Sequence, residues 1–206
     1  MLLQRVQEEM FVHLRLGDPG HPLTEESFAA INQFLLDQDA FSHLKHGRRE
    51  QLAEMPNQLD WEWYHSDENK TPYSEAELLR RTNGETTTFD PNVIEGLVDP
   101  LDFGEGTQQM RNSLVGVDLL RYEKKAFLTR HDDGNRLSGI LGLTGEYSGG
   151  ILRVYSLNPN NGRLGVFHRA RVSLGDFVLF DASKQHDLTP VTDGKREVLA
   201  YVFDKI

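Results

Sequence analysis

The sequence has 206 residues, of which 38% are hydrophobic and 26% are charged, and its formal net charge at pH 7 is −10. A chain of this length can bury one substantial core, so we expect a single domain over residues 1–206. No apolar run approaches the roughly 20 residues that a transmembrane helix needs, and the negative charge disfavours a broad surface for phosphate groups. We therefore expect neither a membrane nor a nucleic acid among the partners.

Cysteine is absent from the sequence. Its absence excludes disulfides, iron–sulfur clusters and zinc sites with thiolate ligands. The first residues, MLLQRVQEEM, place Glu8 and Glu9 where a secretory signal peptide would have its apolar stretch. Together these observations predict a cytoplasmic protein.

The first part of the chain, residues 1–113, has the apolar spacing of helices. In residues 26–38 the apolar side chains recur at helical intervals after Thr24, which is a candidate N-cap. Further helices are predicted at residues 74–82 and 91–97. We expect this part to form a helical support for the rest of the domain.

Residues 57–73 combine acidic side chains with four aromatic ones, namely Trp61, Trp63, Tyr64 and Tyr73. Exposed aromatic residues in a loop suit a lid over a binding site. Packing of the helical layer onto a sheet explains them equally well, so both interpretations stay open.

From residue 114 onward, short apolar runs alternate with turn residues. Strands are predicted at residues 114–122, 126–131, 137–143, 150–156, 164–174, 176–181 and 197–203, with a short extended piece at 186–190. Closely spaced strands without intervening helices indicate an antiparallel sandwich or barrel. The predicted fold class is therefore mainly β: a jelly-roll core over residues 114–206, with N-terminal helices packed on one of its sheets.

Two potential metal ligands, His131 and Asp133, lie where the second predicted strand ends. They are two positions apart, so in an extended segment their side chains leave the same side of the backbone. Two imidazoles and one carboxylate form the ligand set of mononuclear non-haem iron(II) sites. An H-x-D triplet alone is weak evidence, and a second copy occurs at His65-Ser66-Asp67. No strand pattern follows that copy, so we favour the triplet that begins at His131.

His186 is the best candidate for a third ligand, because it lies between the strongly apolar strand DFVLF and another extended segment. A polar surface turn is the alternative for a histidine in the run KQHD. Arg196 follows at the start of the last strand, where it would point into the barrel beside the metal. A buried guanidinium needs an anion, and its fork matches a carboxylate at two points.

Four segments, in order, resemble the catalytic core of the prolyl 4-hydroxylase-like 2-oxoglutarate/Fe(II)-dependent dioxygenase family. They are RYEKKAFLTRHDD, SGGILRVYS, VSLGDFVLFDASKQH and DLTPVTDGKREVLAYVF. The resemblance covers residues 114–204, close to half of the chain. It includes a tyrosine, the H-x-D triplet, a Gly-Gly hairpin, a Gly-Asp-x-x-x-Phe strand, a histidine and an arginine in the family's order.

The resemblance implies a double-stranded β-helix in which His131, Asp133 and His186 hold iron. It also implies that Arg196 anchors the distal carboxylate of 2-oxoglutarate. Tyr122 matches the family's tyrosine that faces the cosubstrate, and Leu152 is expected to line the same pocket.

Two departures from the family concern the cosubstrate. Gly142-Leu143-Thr144 stands where many relatives have Tyr-Leu-Asn, so a second tyrosine for the carboxylate is missing, with Thr144 or Tyr147 as its candidate replacement. Val198 stands where a serine is expected. Asp133, by contrast, is present, which argues against the halogenases of this fold because they lack the carboxylate.

The implied activity is an Fe(II)- and 2-oxoglutarate-dependent dioxygenase that uses O2 to hydroxylate an unactivated C–H bond, releases succinate and CO2, and is stimulated by ascorbate. We expect the substrate to contain an amino-acid unit, either a proline-like residue of a peptide or protein or a free amino acid. Arg153 and Arg171 are candidates to bind its carboxylate.

Two other functions were compared with this activity. One is a non-catalytic jelly-roll binding module, against which the complete set of three ligands and Arg196 argues. The other is a nucleic-acid demethylase on the same fold, which the net charge of −10 disfavours. The oligomeric state is left open by the sequence.

Overall fold

The structure is a computed structural model that describes residues 2–46, 85–89, 91–157 and 164–205. Three sequence predictions lie outside the described residues: the helix at 74–82, the aromatic segment 57–73 as a lid, and the rejected triplet His65-Ser66-Asp67.

Helices occupy the N-terminal part of the described chain. The α-helices are α1 Leu2–Glu9, α2 Glu25–Asp37, α3 Pro91–Val98 and α4 Thr107–Asn112, and two short 3-10 helices are Ala40–His43 and Gly104–Gly106. Of these, α2 and α3 confirm the helices predicted at residues 26–38 and 91–97. Within the described ranges, no helix combines the length and the apolarity that crossing a bilayer requires.

The start of α2 is fixed by the predicted N-cap. The Thr24 hydroxyl accepts a hydrogen bond from the Ser27 N–H at 3.1 Å, and the Thr24 N–H donates to the Ser27 hydroxyl at 2.9 Å. This capping box satisfies two backbone donors that the first turn of a helix otherwise leaves without partners. The buried side chains Phe28, Ile31 and Leu35 then share one face of the helix, which packs into the larger core.

The strands follow one another closely after residue 113. Their bounds are β1 Phe11–Leu14, β2 Lys45–His46, β3 Glu85–Thr88, β4 Leu114–Tyr122, β5 Leu128–His131, β6 Arg136–Gly142, β7 Tyr147–Gly149, β8 Leu152–Leu157, β9 Leu164–Ala170, β10 Phe177–Asp181, β11 His186–Leu188, β12 Val191–Gly194 and β13 Arg196–Asp204. The eight predicted extended segments correspond to β4, β5, β6, β8, β9, β10, β11 and β13.

Two main sheets form the jelly roll. The larger has the order β1-β10-β6-β13-β4-β3-β2, the smaller has the order β5-β11-β8-β9, and β12 pairs with β7 in a short third sheet. The strand pairs in all three sheets are antiparallel. This arrangement confirms the predicted fold class.

Strand β10, next to the edge strand β1, shows how the large sheet separates two cores. All five of its residues are buried, since both faces of the sheet are covered. Phe177 and Leu179 belong to the core shared with the helices, whereas Val178 and Phe180 belong to the core between the two sheets. The second core also contains Tyr122 and positions the candidate site.

The N-terminal part contributes more than the predicted helical support. Its strands β1, β2 and β3 join the large sheet, and β1 pairs with β10 at one edge. These strands are not predicted from the sequence, because runs of two to four residues carry too little alternation to identify a strand. The helices α1 and α4, of eight and six residues, were also not predicted, because helices this short contain too few turns to show a clear helical period.

The contribution of the Thr24 N-cap to the stability of α2 can be tested by substitution. Replacing Thr24 with Ala removes the side-chain acceptor, so we expect the free energy of unfolding to fall by about 1 kcal/mol. The Thr24→Ser variant keeps the hydroxyl and should stay close to the wild type. Urea unfolding monitored by circular dichroism measures both, and equal losses in the two variants would contradict the capping role.

Candidate metal centre

Three potential ligands converge where β5 and β11 pair. His131 ends β5, His186 begins β11, and the two residues lie opposite each other in the ladder. Nε2 of His131 lies 3.5 Å from Oδ1 of Asp133, and Nε2 of His186 lies 3.6 Å from Oδ2. The potential ligand atoms of the three residues all lie within 4.8 Å of one another. This spacing suits a single ion with bonds of about 2.1 Å.

Backbone carbonyl groups orient both imidazole rings. Nδ1 of His131 lies 2.7 Å from the Thr129 carbonyl oxygen, and Nδ1 of His186 lies 2.9 Å from that of Lys184. A carbonyl oxygen can only accept, so in each neutral ring Nδ1 carries the proton and Nε2 keeps its lone pair. Both lone pairs therefore belong to the nitrogen atoms that face Asp133.

His186 lies in an apolar setting. It is buried, and the edge of the Phe180 ring packs against it with centroids 5.0 Å apart. Burial, and after it the neighbouring His131, lowers the pKa of His186 to about 4. The imidazole is therefore neutral at physiological pH, which is the form that binds a metal ion.

Asp133 is held from both its backbone and its side chain. Its N–H donates to the Ala182 carbonyl at 2.9 Å, which ties the H-x-D segment to the turn that leads into β11. The Ser138 hydroxyl lies 3.5 Å from Oδ2. The Asp133 side chain is 32% exposed, so the carboxylate marks the side of the cluster that solvent reaches.

Two neutral imidazoles and a carboxylate on one side of an ion leave its other positions open. Within the described residues, these three form the one group of histidine and acidic side chains with ligand spacing. The structure thus brings together the three residues that the sequence analysis selected. Their role as ligands stays a prediction.

Arg196 lies inside the barrel, as predicted. It is 3% exposed and lies opposite Tyr122 in the ladder between β13 and β4, with its guanidinium carbon 5.4 Å from the centre of the Tyr122 ring. Across the described part of the chain, Nε of Arg196 finds no hydrogen-bond partner. A buried donor without a partner is costly, so this position favours an added acceptor such as a carboxylate.

Tyr122 connects Arg196 electrostatically with the metal centre. Burial raises the pKa of Tyr122, the positive charge of Arg196 opposes that rise, and the charges of Asp118 and Asp133 add to it. The phenol therefore lies within the field of Arg196 and of Asp133 at once. Leu152 belongs to the same buried cluster as Tyr122, so the three predicted cosubstrate residues share one interior.

Gly150 packs closely against the side chain of Arg196. A Cβ added to Gly150 would lie 3.1 Å from Cδ of Arg196 and 3.1 Å from Cε2 of Tyr147. Gly150 also has a φ of +56°, a conformation that costs little only for glycine. Glycine at this position therefore lets the Arg196 side chain pack close to the backbone. The predicted Gly-Gly hairpin is not formed, because β7 pairs with β12 while β8 pairs with β11 and β9, so the two glycines connect strands of different sheets.

The two candidates for the missing second tyrosine are both engaged elsewhere. The Thr144 hydroxyl donates to the Lys195 carbonyl at 3.2 Å and accepts from the Glu197 N–H at 2.9 Å. The Tyr147 hydroxyl donates to the Val172 carbonyl at 2.8 Å. Neither hydroxyl proton points to a carboxylate beside Arg196, and the position of Val198 adds no polar group.

A buried ionic cluster that the sequence does not predict lies behind His186. Arg153, considered there as a substrate-binding residue, instead donates two hydrogen bonds to Asp187, at 2.7 and 2.8 Å. The Tyr155 hydroxyl donates to the same carboxylate at 2.8 Å. Arg171 likewise donates to backbone carbonyls of Gly145 and Tyr147. In the sequence, Asp187 lies in a run that also suits a polar turn. Its contact with Arg153 becomes evident only from the pairing of β11 with β8.

Comparison with known proteins places the fold. No protein-family model and no curated protein sequence matches the chain. The prolyl-4-hydroxylase of Pseudomonas putida matches with a TM-score of 0.59 and 17% identity, over 99% of this chain and 97% of its own. A prolyl hydroxylase of Trichoplax adhaerens, in complex with a peptide fragment of the hypoxia inducible factor oxygen degradation domain, has a TM-score of 0.56 and 12% identity over 99% and 88% of the two chains.

A third match is the non-heme alpha ketoglutarate dependent epimerase SnoN from nogalamycin biosynthesis. Its TM-score is 0.59 at 13% identity, over 99% of this chain and 79% of its own. The chain has the prolyl-hydroxylase-like 2-oxoglutarate/Fe(II) oxygenase fold. At identities of 12–17% the structural similarity shows the fold alone, so the ligands and the reaction have to be argued from the chemistry of the site.

The pKa of His186 gives a prediction for the metal-free protein. An unfolded histidine titrates near 6.5, whereas the pKa of His186 in the folded chain is about 4. The unfolded state therefore binds the proton first as pH falls, so His186 destabilises the fold progressively from pH 6.5 to 4. Between pH 7 and 5, the protonation of His186 in the unfolded state should lower the free energy of unfolding by on the order of 2 kcal/mol.

Urea unfolding of the chelator-treated wild type and of His186→Gln at both pH values measures this contribution. We expect the variant to lose less stability than the wild type on going from pH 7 to 5. An equal loss in the two proteins would show that His186 titrates normally in the folded state.

Proposed function

We propose that the protein is an Fe(II)- and 2-oxoglutarate-dependent dioxygenase that hydroxylates an unactivated C–H bond of an amino-acid unit. The observation that carries this proposal is the convergence of the Nε2 atoms of His131 and His186 on the carboxylate of Asp133, inside the same barrel as the buried Arg196. Three ligands suit one metal ion, and the arginine suits one carboxylate.

The residues fit an iron ion by the chemistry of their donors. His131, Asp133 and His186 would hold Fe(II) through two neutral imidazole nitrogens and one carboxylate oxygen. The carbonyls of Thr129 and Lys184 fix the ring tautomers, which is the usual function of groups behind metal-binding histidines.

The residues also fit the cosubstrate. Arg196 would bind the distal carboxylate of 2-oxoglutarate, because its buried Nε lacks a partner among the described residues. Gly150 lets the Arg196 side chain pack close to the backbone between β7 and β8. Tyr122 and Leu152 would line the apolar part of the pocket and exclude water from it.

When bound, Fe(II) and 2-oxoglutarate supply the oxidising chemistry: 2-oxoglutarate and O2 are converted to succinate and CO2, and the substrate C–H becomes C–OH. The residues of the chain would orient the metal ion and the cosubstrate and exclude water from the pocket. Asp133 and the two imidazoles fix the geometry of coordination, and Arg196 fixes the direction of the cosubstrate. Ascorbate would act by keeping the iron in its ferrous state.

The amino-acid substrate is supported by the sequence resemblance to prolyl 4-hydroxylases and by two relatives described as prolyl hydroxylases. The similar epimerase carries a different reaction on this fold. A substrate screen therefore begins with proline-containing peptides, continues with free amino acids, and includes small molecules.

Metal binding is tested first. The His131→Ala variant loses a ligand, so its affinity for Fe(II) should fall by more than the roughly 10- to 100-fold lost when groups behind a ligand are removed. Anaerobic titration against a chromogenic chelator measures the affinity. His21→Ala is a matched control, because His21 is a part-buried histidine whose ring bonds the carbonyls of Leu23 and Gly175. Equal affinities of wild type and His131→Ala would refute the metal site.

Cosubstrate binding is tested with Arg196→Ala. Loss of charged hydrogen bonds worth about 1.5–3 kcal/mol should weaken 2-oxoglutarate binding by at least about tenfold. The readouts are the visible charge-transfer band of the anaerobic Fe(II) complex and succinate formed under air without a prime substrate. Arg111→Ala, which removes an arginine bound to the Asp99 carbonyl, is the control. Iron binding without any band or succinate in the wild type would favour a non-catalytic binding module.

A further inference from the structure

Strand β11 is short and has to be held in one register. It consists of His186, Asp187 and Leu188, and it lies between β5 and β8 in the small sheet. In strands, successive side chains point to opposite faces, so a slip by one residue would exchange those faces. Such a slip would turn the His186 imidazole away from Asp133.

The two ladders that hold β11 differ in regularity. Toward β5 the register shifts between His186 and Leu188. Toward β8 it is continuous, with Asp187 directly opposite Arg153 at its centre. The pairing with β8 is therefore the one that can fix the register of β11.

The side chains at that central position form a buried clamp. Asp187 is 0% exposed and accepts two hydrogen bonds from the guanidinium fork of Arg153 and one from the Tyr155 hydroxyl. A two-point pair of this kind fixes direction as well as distance. The guanidinium carbon of Arg130, which precedes His131 in the chain, lies 5.3 Å from the centre of the Tyr155 ring.

This clamp involves all three strands behind the metal centre. Arg130 lies on β5 beside one histidine, Asp187 lies on β11 beside the other, and Tyr155 on β8 contacts both. Because the neighbouring histidines point to the opposite face, the clamp holds the strands without occupying the site.

We propose that Asp187 is a positioning residue for the metal centre: its buried contacts with Arg153 and Tyr155 fix the register of β11 and so hold the His186 imidazole toward Asp133 and His131. This inference rests on the proposed function, because it assumes that the three residues bind a metal ion. Asp187 itself is not one of the three candidate ligands.

The test compares Asp187→Asn with Asp176→Asn. Asp176 is a matched control: it is also a buried carboxylate, it accepts from the Ser173 N–H at 2.9 Å and contacts Nε2 of His13 at 3.1 Å, and it lies at the other end of β10 from the ligands. Both variants should lose thermal stability. Only Asp187→Asn should weaken Fe(II) binding, by about tenfold, the lower end of effects from groups behind a ligand.

A spectroscopic readout separates positioning from general destabilisation. The visible bands of bound Co(II) report coordination geometry, so they should change in Asp187→Asn and remain unchanged in Asp176→Asn. Arg153→Lys keeps the charge and loses the two-point fork, and it should weaken metal binding by roughly threefold. If Asp187→Asn does not fold, the metal affinity and the Co(II) spectrum of Arg153→Lys test the positioning role instead.

The outcomes are distinct. Wild-type affinity and an unchanged Co(II) spectrum in Asp187→Asn or, if that variant does not fold, in Arg153→Lys would overturn the positioning role and leave the metal site intact. A wild type that binds neither Fe(II) nor Co(II) would overturn the proposed function, and this inference with it.

Discussion

The pairing of His131 with His186 across β5 and β11 is the interaction on which the candidate metal centre depends. Neither residue is close to the other in sequence, and each ring is fixed by a carbonyl two positions earlier in its own chain segment. The antiparallel ladder alone brings the two Nε2 atoms to one side. Asp133 joins them because its N–H donates to the carbonyl of Ala182, which lies in the turn that leads into β11.

Pairing between strands also positions Arg196 on the large sheet. Arg196 and Glu197 are neighbours on β13, and the alternation of the strand sends them to opposite faces. Arg196 lies over Tyr122 inside the barrel, while Glu197 accepts a hydrogen bond from Arg121 at 2.7 Å. Two cross-strand contacts, one on each face, therefore hold β13 against β4. Adjacent residues thus have different roles: Glu197 stabilises the sheet, and Arg196 is the residue proposed to bind a carboxylate.

Much of the fold and the candidate ligands could be predicted from the sequence because each signal was local. The strands β4 and β10 are long or strongly apolar, and the H-x-D spacing matches the period of a strand. Asp187 and Arg153 could not be predicted as partners, since their contact depends on which strands are neighbours. The strand β1 could not be predicted either, because the four residues FVHL are too short to indicate a strand and are stabilised as one by pairing with β10.

The wide separation of paired strands along the chain governs how the protein must assemble. Phe11 lies opposite Phe180, so the edge of the large sheet closes only after nearly the whole chain is present. Non-local pairings of this kind make folding slow, because loop closure costs entropy before contacts repay it. The two histidines likewise meet only after β11 has paired with β5. A metal ion would therefore bind a barrel that is almost complete, stabilising it by mass action without acting as a template for its formation.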